Sequence, residues 1–129
     1  MKKIRKNILK LFLFICLGLT LTSLVFASAR TIGYVPSAPG RPVIMSIQIG
    51  GCHFRFEPPI FTGGSPVLNY VIEHRYKNSS KWEISGISYT NSFLAYNMRT
   101  GDSAEFRVSA VNKFGRSQPS SASEMVKFE

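Results

Sequence analysis

The stretch from Phe106 to Ser120, FRVSAVNKFGRSQPS, constrains the fold more than any other part of the chain. Phe106, Val108 and Ala110 fall on one side of a two-residue repeat, and Arg107 and Ser109 fall on the other. That pattern is a strand with one apolar face. Asn112 and Gly115 then supply residues that tolerate positive φ, so the chain reverses there and leaves through Ser117 and Pro119.

Residues 1–29 differ in composition from the rest of the chain. Lys2, Lys3, Arg5 and Lys6 open the chain, an apolar run from Leu11 to Phe26 comes next, and Ala27-Ser28-Ala29 closes it. A basic start, an apolar middle and an A-x-A end describe a secretory signal peptide cleaved at Ala29. The alternative is a membrane anchor. Leu11 to Phe26 covers 16 residues, against the roughly 20 of a spanning helix, and Gly18, Thr20, Thr22 and Ser23 interrupt it. Kept or cleaved, such a leader sends the rest of the chain across the membrane. The expected location is therefore secreted, periplasmic or cell-surface, with membrane attachment only through an uncleaved leader.

The formal charge of +9 overstates the basicity of the remainder. Five of the 16 basic residues lie in the leader, which leaves eleven against seven acidic ones, a net of +4. No run of Lys or Arg occurs after residue 10. Nucleic-acid binding asks for basic residues gathered on one face with stacking aromatics among them, so no nucleic-acid partner is expected. Cys16 lies in the leader, where Leu13-Phe14-Ile15 lacks the small residue a lipoprotein acylation site needs before its Cys. Cys52 alone remains, and one cysteine closes no intrachain disulfide. At strand parity with Phe54 and Phe56 it reads as a buried small hydrophobe; the alternative is an exposed thiol open to intermolecular bonding.

Residues 30–38 contain Gly33 and Pro36 without a sustained period and read as a flexible lead-in, with the domain proper over 39–129. Pro42 to Ile49 is a first strand, entered through a proline of the kind tolerated at an edge. Gly50-Gly51 is a turn signal. Cys52, Phe54 and Phe56 then alternate with His53, Arg55 and Glu57. Val67 to Tyr76 is a long strand with Glu73 and Arg75 outward, and Glu124 to Phe128 supplies the last one.

In its order of aromatic, Arg, Val, Ala, Asn and Gly, the Phe106–Ser117 stretch resembles the sixth strand and adjoining turn of a fibronectin type III domain. The resemblance extends from about Pro36 to the C-terminus. It implies an all-β, seven-stranded antiparallel Greek-key sandwich, immunoglobulin-like, with a core of Phe54, Phe56, Tyr70, Ile72, Trp82, Phe106, Val108 and Ala110. Phe56 stands where the family has a central Trp, and Tyr70 and Ile72 match its inward pair. Trp82 stands where many members cover an edge of the sandwich, with Phe93 and Ala95 inward on the next strand and Met98 at a usual Leu position. One departure is Ala104, where the family has a tyrosine whose hydroxyl ties a corner to the backbone. A marginal or repacked corner is expected, using Tyr96 or Tyr89, with Ala104→Tyr raising the melting temperature.

Catalytic and metal chemistry find little support. His53 and His74, with Cys52, lack the grouped spacing of a zinc site, and no serine sits in a nucleophile-elbow motif. Glu57, Glu73 and Glu105 read as outward strand positions, with Arg75 and Arg107 as cross-strand partners. No cofactor is expected. Arg99-Thr100-Gly101-Asp102 reads as a plain corner. Lys113, Phe114 and Arg116 form the candidate contact loop, an apolar ring between two cations at a strand turn; the competing reading folds Phe114 back over the sheet end. The expected function is a non-catalytic, monomeric binding or adhesion module for a protein or surface glycan. The alternatives are a structural or self-assembling surface protein, using the Leu94/Tyr96 face or an edge strand, and a membrane-tethered accessory domain.

Overall fold

Eight residues of β3 (Asn69–Tyr76) pair one-to-one with β6 (Ser103–Asn112), from Asn69 opposite Val111 to Tyr76 opposite Ala104. This ladder is the spine of the domain. The computed structural model describes residues 5–8 and 32–129, and residues 33–129 form a unit of their own. The expected signal peptide, with its cleavage at Ala29, lies outside the described residues apart from 5–8.

On one side of the spine, β4 (Glu83–Ser88) pairs with β3; on the other, β7 (Gly115–Arg116) and β8 (Val126–Lys127) pair with β6. The second sheet has the order β1 (Val43–Gln48), β2 (Gly51–Arg55), β5 (Ser92–Ala95). Every pairing is antiparallel, and the two sheets form the all-β sandwich expected. The eighth strand arises because the final strand is broken into β7 and β8. The tight turn between β1 and β2 falls on Ile49-Gly50, one residue earlier than the sequence suggested, because Gln48 pairs with Gly51 and Gly50 takes the positive φ.

Period-two alternation places the core. Phe54, Phe56, Ile72, Phe106, Val108 and Ala110 are at most 2% exposed, and Tyr70 is 8% exposed. The Phe54 and Phe106 rings meet across the layers at 4.9 Å, and Phe56 meets Tyr70 edge-on at 4.8 Å. Each large side chain buried in this way contributes about 1.5–3 kcal/mol. Cys52 is fully buried among them, and burial pushes its thiol up to about 11. Trp82 is a correction: it is half-buried and lies outside the core cluster. It precedes β4 and lies on the outer face of the β3–β6 spine, where the Arg75 and Arg107 guanidiniums stand 4.6 and 4.2 Å from its ring centroid. Two guanidiniums cover it, so the ring needs no place between the sheets.

The broken final strand has its own logic. Ser117, Ser120 and Ser123 donate their backbone N–H to the carbonyls of Ala110, Val108 and Phe106, at 2.7–2.8 Å. Their Oγ atoms accept the N–H of those same three residues at 2.8–3.0 Å. Each hydroxyl stands in for a backbone carbonyl, so three residues of this segment span two of β6 while the buried edge of β6 stays fully bonded. The hydroxyls then donate to the carbonyls of Gln118, Ser121 and Glu124.

The corner before β6 also differs from the expectation. Tyr89 and Tyr96 are 79% and 70% exposed and take no part. Tyr76 supplies the tie, because it is the direct cross-strand neighbour of Ala104 and its hydroxyl accepts the Arg99 N–H.

Candidate functional site

Asn112 organises the loop end of the sandwich. Its Nδ2 donates to the carbonyls of Tyr34 and Thr62, both at 2.8 Å, and its Oδ1 accepts the Phe114 N–H at 2.8 Å. At 2% exposure this amide has all its partners inside the protein, as a buried polar group requires. Three segments distant in sequence are thereby fixed together: the stretch before β1, the β2–β3 loop and the β6–β7 turn. Tyr34 N–H donates to Gly63 O at 3.0 Å and Ser37 N–H to Phe61 O at 2.9 Å. Residues 30–38 were expected to form a flexible lead-in; from Tyr34 onward they are tied to the β2–β3 loop by these bonds.

The β6–β7 turn holds the three residues expected to make contact, and the structure separates them. Phe114 is 36% exposed and lies over Gly33, where even a Cβ would overlap its ring. Lys113 stays exposed, its amine 5.1 Å from the Phe114 ring centroid. Arg116 points instead to the outer sheet face, where it donates to Glu73 at 2.8 Å. The ring is thus folded back and yet stays partly exposed. Tyr34, Ile60 and Phe61, on the two segments tied to this turn, are exposed at 62%, 102% and 53%. These three were missed, although apolar side chains stranded in Pro/Gly-rich stretches, as Ile60-Phe61 are after Pro58-Pro59, were the signal.

The outer face of the spine is closed by charge. Glu73 Oε1 accepts from Arg107 at 3.1 Å and from Arg116 at 2.8 Å, and Arg75 pairs with Glu105. These are the expected cross-strand pairs, but the face is less solvated than the alternation implied: Glu73 is 8% and Ser109 only 1% exposed. His74 sits on the inward side of β3, its Nδ1 2.6 Å from Ser85 Oγ and its Nε2 3.4 Å from Glu83. Among the described residues, no three His, Cys, Asp or Glu side chains come together as a metal cluster.

This architecture, an antiparallel sandwich that carries its exposed apolar groups on well-tied loops, defines a binding or structural module of the immunoglobulin-like class. The sequence matches the fibronectin type III domain over residues 37–126, and the chain belongs to that family. It is 39% identical over 92 residues to mouse cardiac-type myosin-binding protein C, a match covering 70% of this chain and 7% of the relative. It is 35% identical over 91 residues to a titin homolog of Caenorhabditis elegans, covering 70% of this chain and 0% of that protein to the nearest percent. Among solved structures it resembles the twitchin kinase region from C. elegans, with a TM-score of 0.71 and 32% identity over 74% of this chain and 17% of that one. Titin kinase with its flanking domains matches at 0.71 and 28%, over 74% and 17%. The chain thus spans only a small part of the relatives it matches.

These relatives overturn the extracytoplasmic location. A titin homolog and myosin-binding protein C are not secreted or periplasmic proteins. That expectation rested on the leader alone, and nothing in the core or loops of a sandwich specifies a compartment.

Proposed function

We propose that the domain is a non-catalytic module that docks a protein partner through its loop end. The observation that carries this reading is the Asn112 hub, which fixes the backbones of Tyr34, Thr62 and Phe114, while the neighbouring Phe61 is held through its backbone bonds to Ser37. Rigid aromatic side chains lose little entropy on binding and are frequent anchors of interfaces. Lys113 at the rim fits a polar border around an apolar centre. An apolar patch favours a protein over a glycan, and one relative is named for binding a protein, myosin. Co-sedimentation of the full chain with myosin filaments tests the reading. Phe61→Ala and Tyr34→Ala are expected to weaken capture, with thermal midpoints close to that of the parent. Capture that is absent, or unchanged by both substitutions, sinks it.

A structural role in which copies join is the second reading, favoured by Leu94 and Tyr96 at 46% and 70% exposure beside the β5 edge. Light scattering separates the two, because a strict monomer at high concentration removes it.

A further inference from the structure

The end of the β3–β6 spine away from the Asn112 hub has the opposite character. A cleft of about 410 Å³ lies there, lined by Tyr76, Lys77, Arg99, Asp102, Ser103 and Lys127 together with the polar turn after β3. Backbone hydrogen bonds fix its walls. Lys77 N–H donates to Ser103 O at 2.9 Å, Gly101 N–H to Phe128 O at 2.6 Å, and Phe128 N–H to Asp102 O at 2.9 Å. The Arg99 guanidinium lies 4.6 Å from the Tyr76 ring centroid, and the Tyr76 hydroxyl holds the Arg99 backbone, so this cation is oriented.

Charge decides what such a cleft can hold. Three cations, Lys77, Arg99 and Lys127, line it with a single carboxylate, Asp102. On the sheet face, by contrast, Arg75, Arg107 and Arg116 are each neutralised by Glu105 or Glu73. Lys77, Arg99 and Lys127 form no ion pair among the described residues. Bringing anionic groups between them adds attraction without breaking an existing pair.

Size and donor supply separate the candidate anions. Pockets of about 300–1,000 Å³ hold ligands well beyond one small ion. A lone phosphate is favoured by a nest of free backbone N–H groups. Here the N–H groups of Lys77, Ser79, Gly101 and Asp102 already donate to carbonyls. What remains to offer is side-chain charge spread over several walls, with an aromatic ring beneath one of the cations. We propose that this cleft binds an acidic peptide segment of a partner protein, with Lys77, Arg99 and Lys127 pairing to successive carboxylates. The site is separate from the loop patch and does not depend on it.

Fluorescence anisotropy of the full chain with a labelled hexaglutamate peptide tests this. Hexaglutamine serves as the neutral control and inorganic phosphate as the competitor. Lys77 and Lys127 are exposed, so Lys77→Glu and Lys127→Glu are expected to fold, and the thermal midpoint checks that they do. Each reversal is expected to weaken hexaglutamate binding about fivefold or more, and added salt to weaken it further. Arg55→Glu, at an exposed β2 position outside the cleft and outside the loop patch, makes the same change of net charge and is expected to leave binding unchanged. No binding of hexaglutamate overturns the proposal. So does equal loss in all three variants, which reports net charge only, or displacement by phosphate at concentrations comparable to the peptide. Because the loop-patch variants are absent from this experiment, its failure leaves the myosin result standing, and the reverse holds too.

Discussion

Tyr76 stands directly across the β3–β6 ladder from Ala104, and its hydroxyl accepts the backbone N–H of Arg99 at 3.3 Å. The corner before β6 is therefore tied by a ring from the neighbouring strand, while the position that would carry a tyrosine within β6 holds a fully buried alanine. The two side chains are direct neighbours on one face of the ladder.

This reverses the effect expected of Ala104→Tyr. Ala104 is fully buried and also pairs with Val126 on its other side, so a new ring there competes with Tyr76 and β8 for space. Overpacking of this kind costs about 1–3 kcal/mol, and the melting temperature is expected to fall. Tyr76→Phe keeps the packing and removes the tie, at a cost of about 0.5–1.5 kcal/mol. Thermal unfolding of both variants checks the argument; a stabilised Ala104→Tyr protein would show that the corner has room for the second ring.

Ser120→Ala removes an acceptor and leaves the Val108 N–H buried without a partner. An orphaned buried donor costs about 1–3 kcal/mol, far more than loss of an exposed hydroxyl. Ser121→Ala, one residue on and exposed, is expected to change stability by less than about 0.5 kcal/mol. Urea denaturation of the pair measures the difference, and amide exchange at Val108 should quicken in the first variant alone.

The depressed titration of His74 gives stability a pH dependence of defined sign. Burial is the larger influence and lowers its pKa below 6.5, outweighing the opposing pull of Glu83. In the window between that lowered value and 6.5, the unfolded chain binds the proton more readily than the folded one. Stability from this group is thus full above 6.5, falls as pH drops through the window, and is lost below the folded value. Unfolding free energies measured from pH 8 down to pH 5 should decline, and His74→Gln should flatten the slope. A parent curve rising toward acid would mean that Glu83 dominates.

The legibility of this chain in its sequence depends on the periods involved. Cys52/Phe54/Phe56 and Phe106/Val108/Ala110 repeat every two residues, and each of these side chains lies in the core. The Ser117, Ser120, Ser123 ladder repeats every three, which matches neither a strand nor a helix, and it reads as loop until β6 is seen beside it. Trp82 and Tyr76 escape a linear reading for a related reason. What covers the tryptophan and what ties the corner are cross-strand neighbours, and a linear string does not display which residues are opposite. The loop patch was half visible: Phe114 announced itself at a turn, while the segments carrying Tyr34 and Phe61 are tied to that turn through the bonds of Asn112 to Tyr34 and Thr62.

The double pairing of Glu73 leads to the last prediction. Its Oε1 serves both Arg107 and Arg116, and its side chain is 11% exposed, whereas Glu105 at 17% serves Arg75, which is 36% exposed. Removing the Glu73 charge leaves two guanidiniums without a counter-charge, so Glu73→Gln is expected to cost about 1.5–3 kcal/mol. Glu105→Gln loses one more exposed pair and should cost under about 1 kcal/mol. Trp82 is the chain's one tryptophan and lies against Arg107, so its fluorescence reports the same event without a label. Acrylamide quenching should increase in Glu73→Gln as the Arg107 cover loosens, and change less in Glu105→Gln. Equal quenching and equal stability in the two variants would mean that the outer face is a set of independent surface pairs and not a network centred on Glu73.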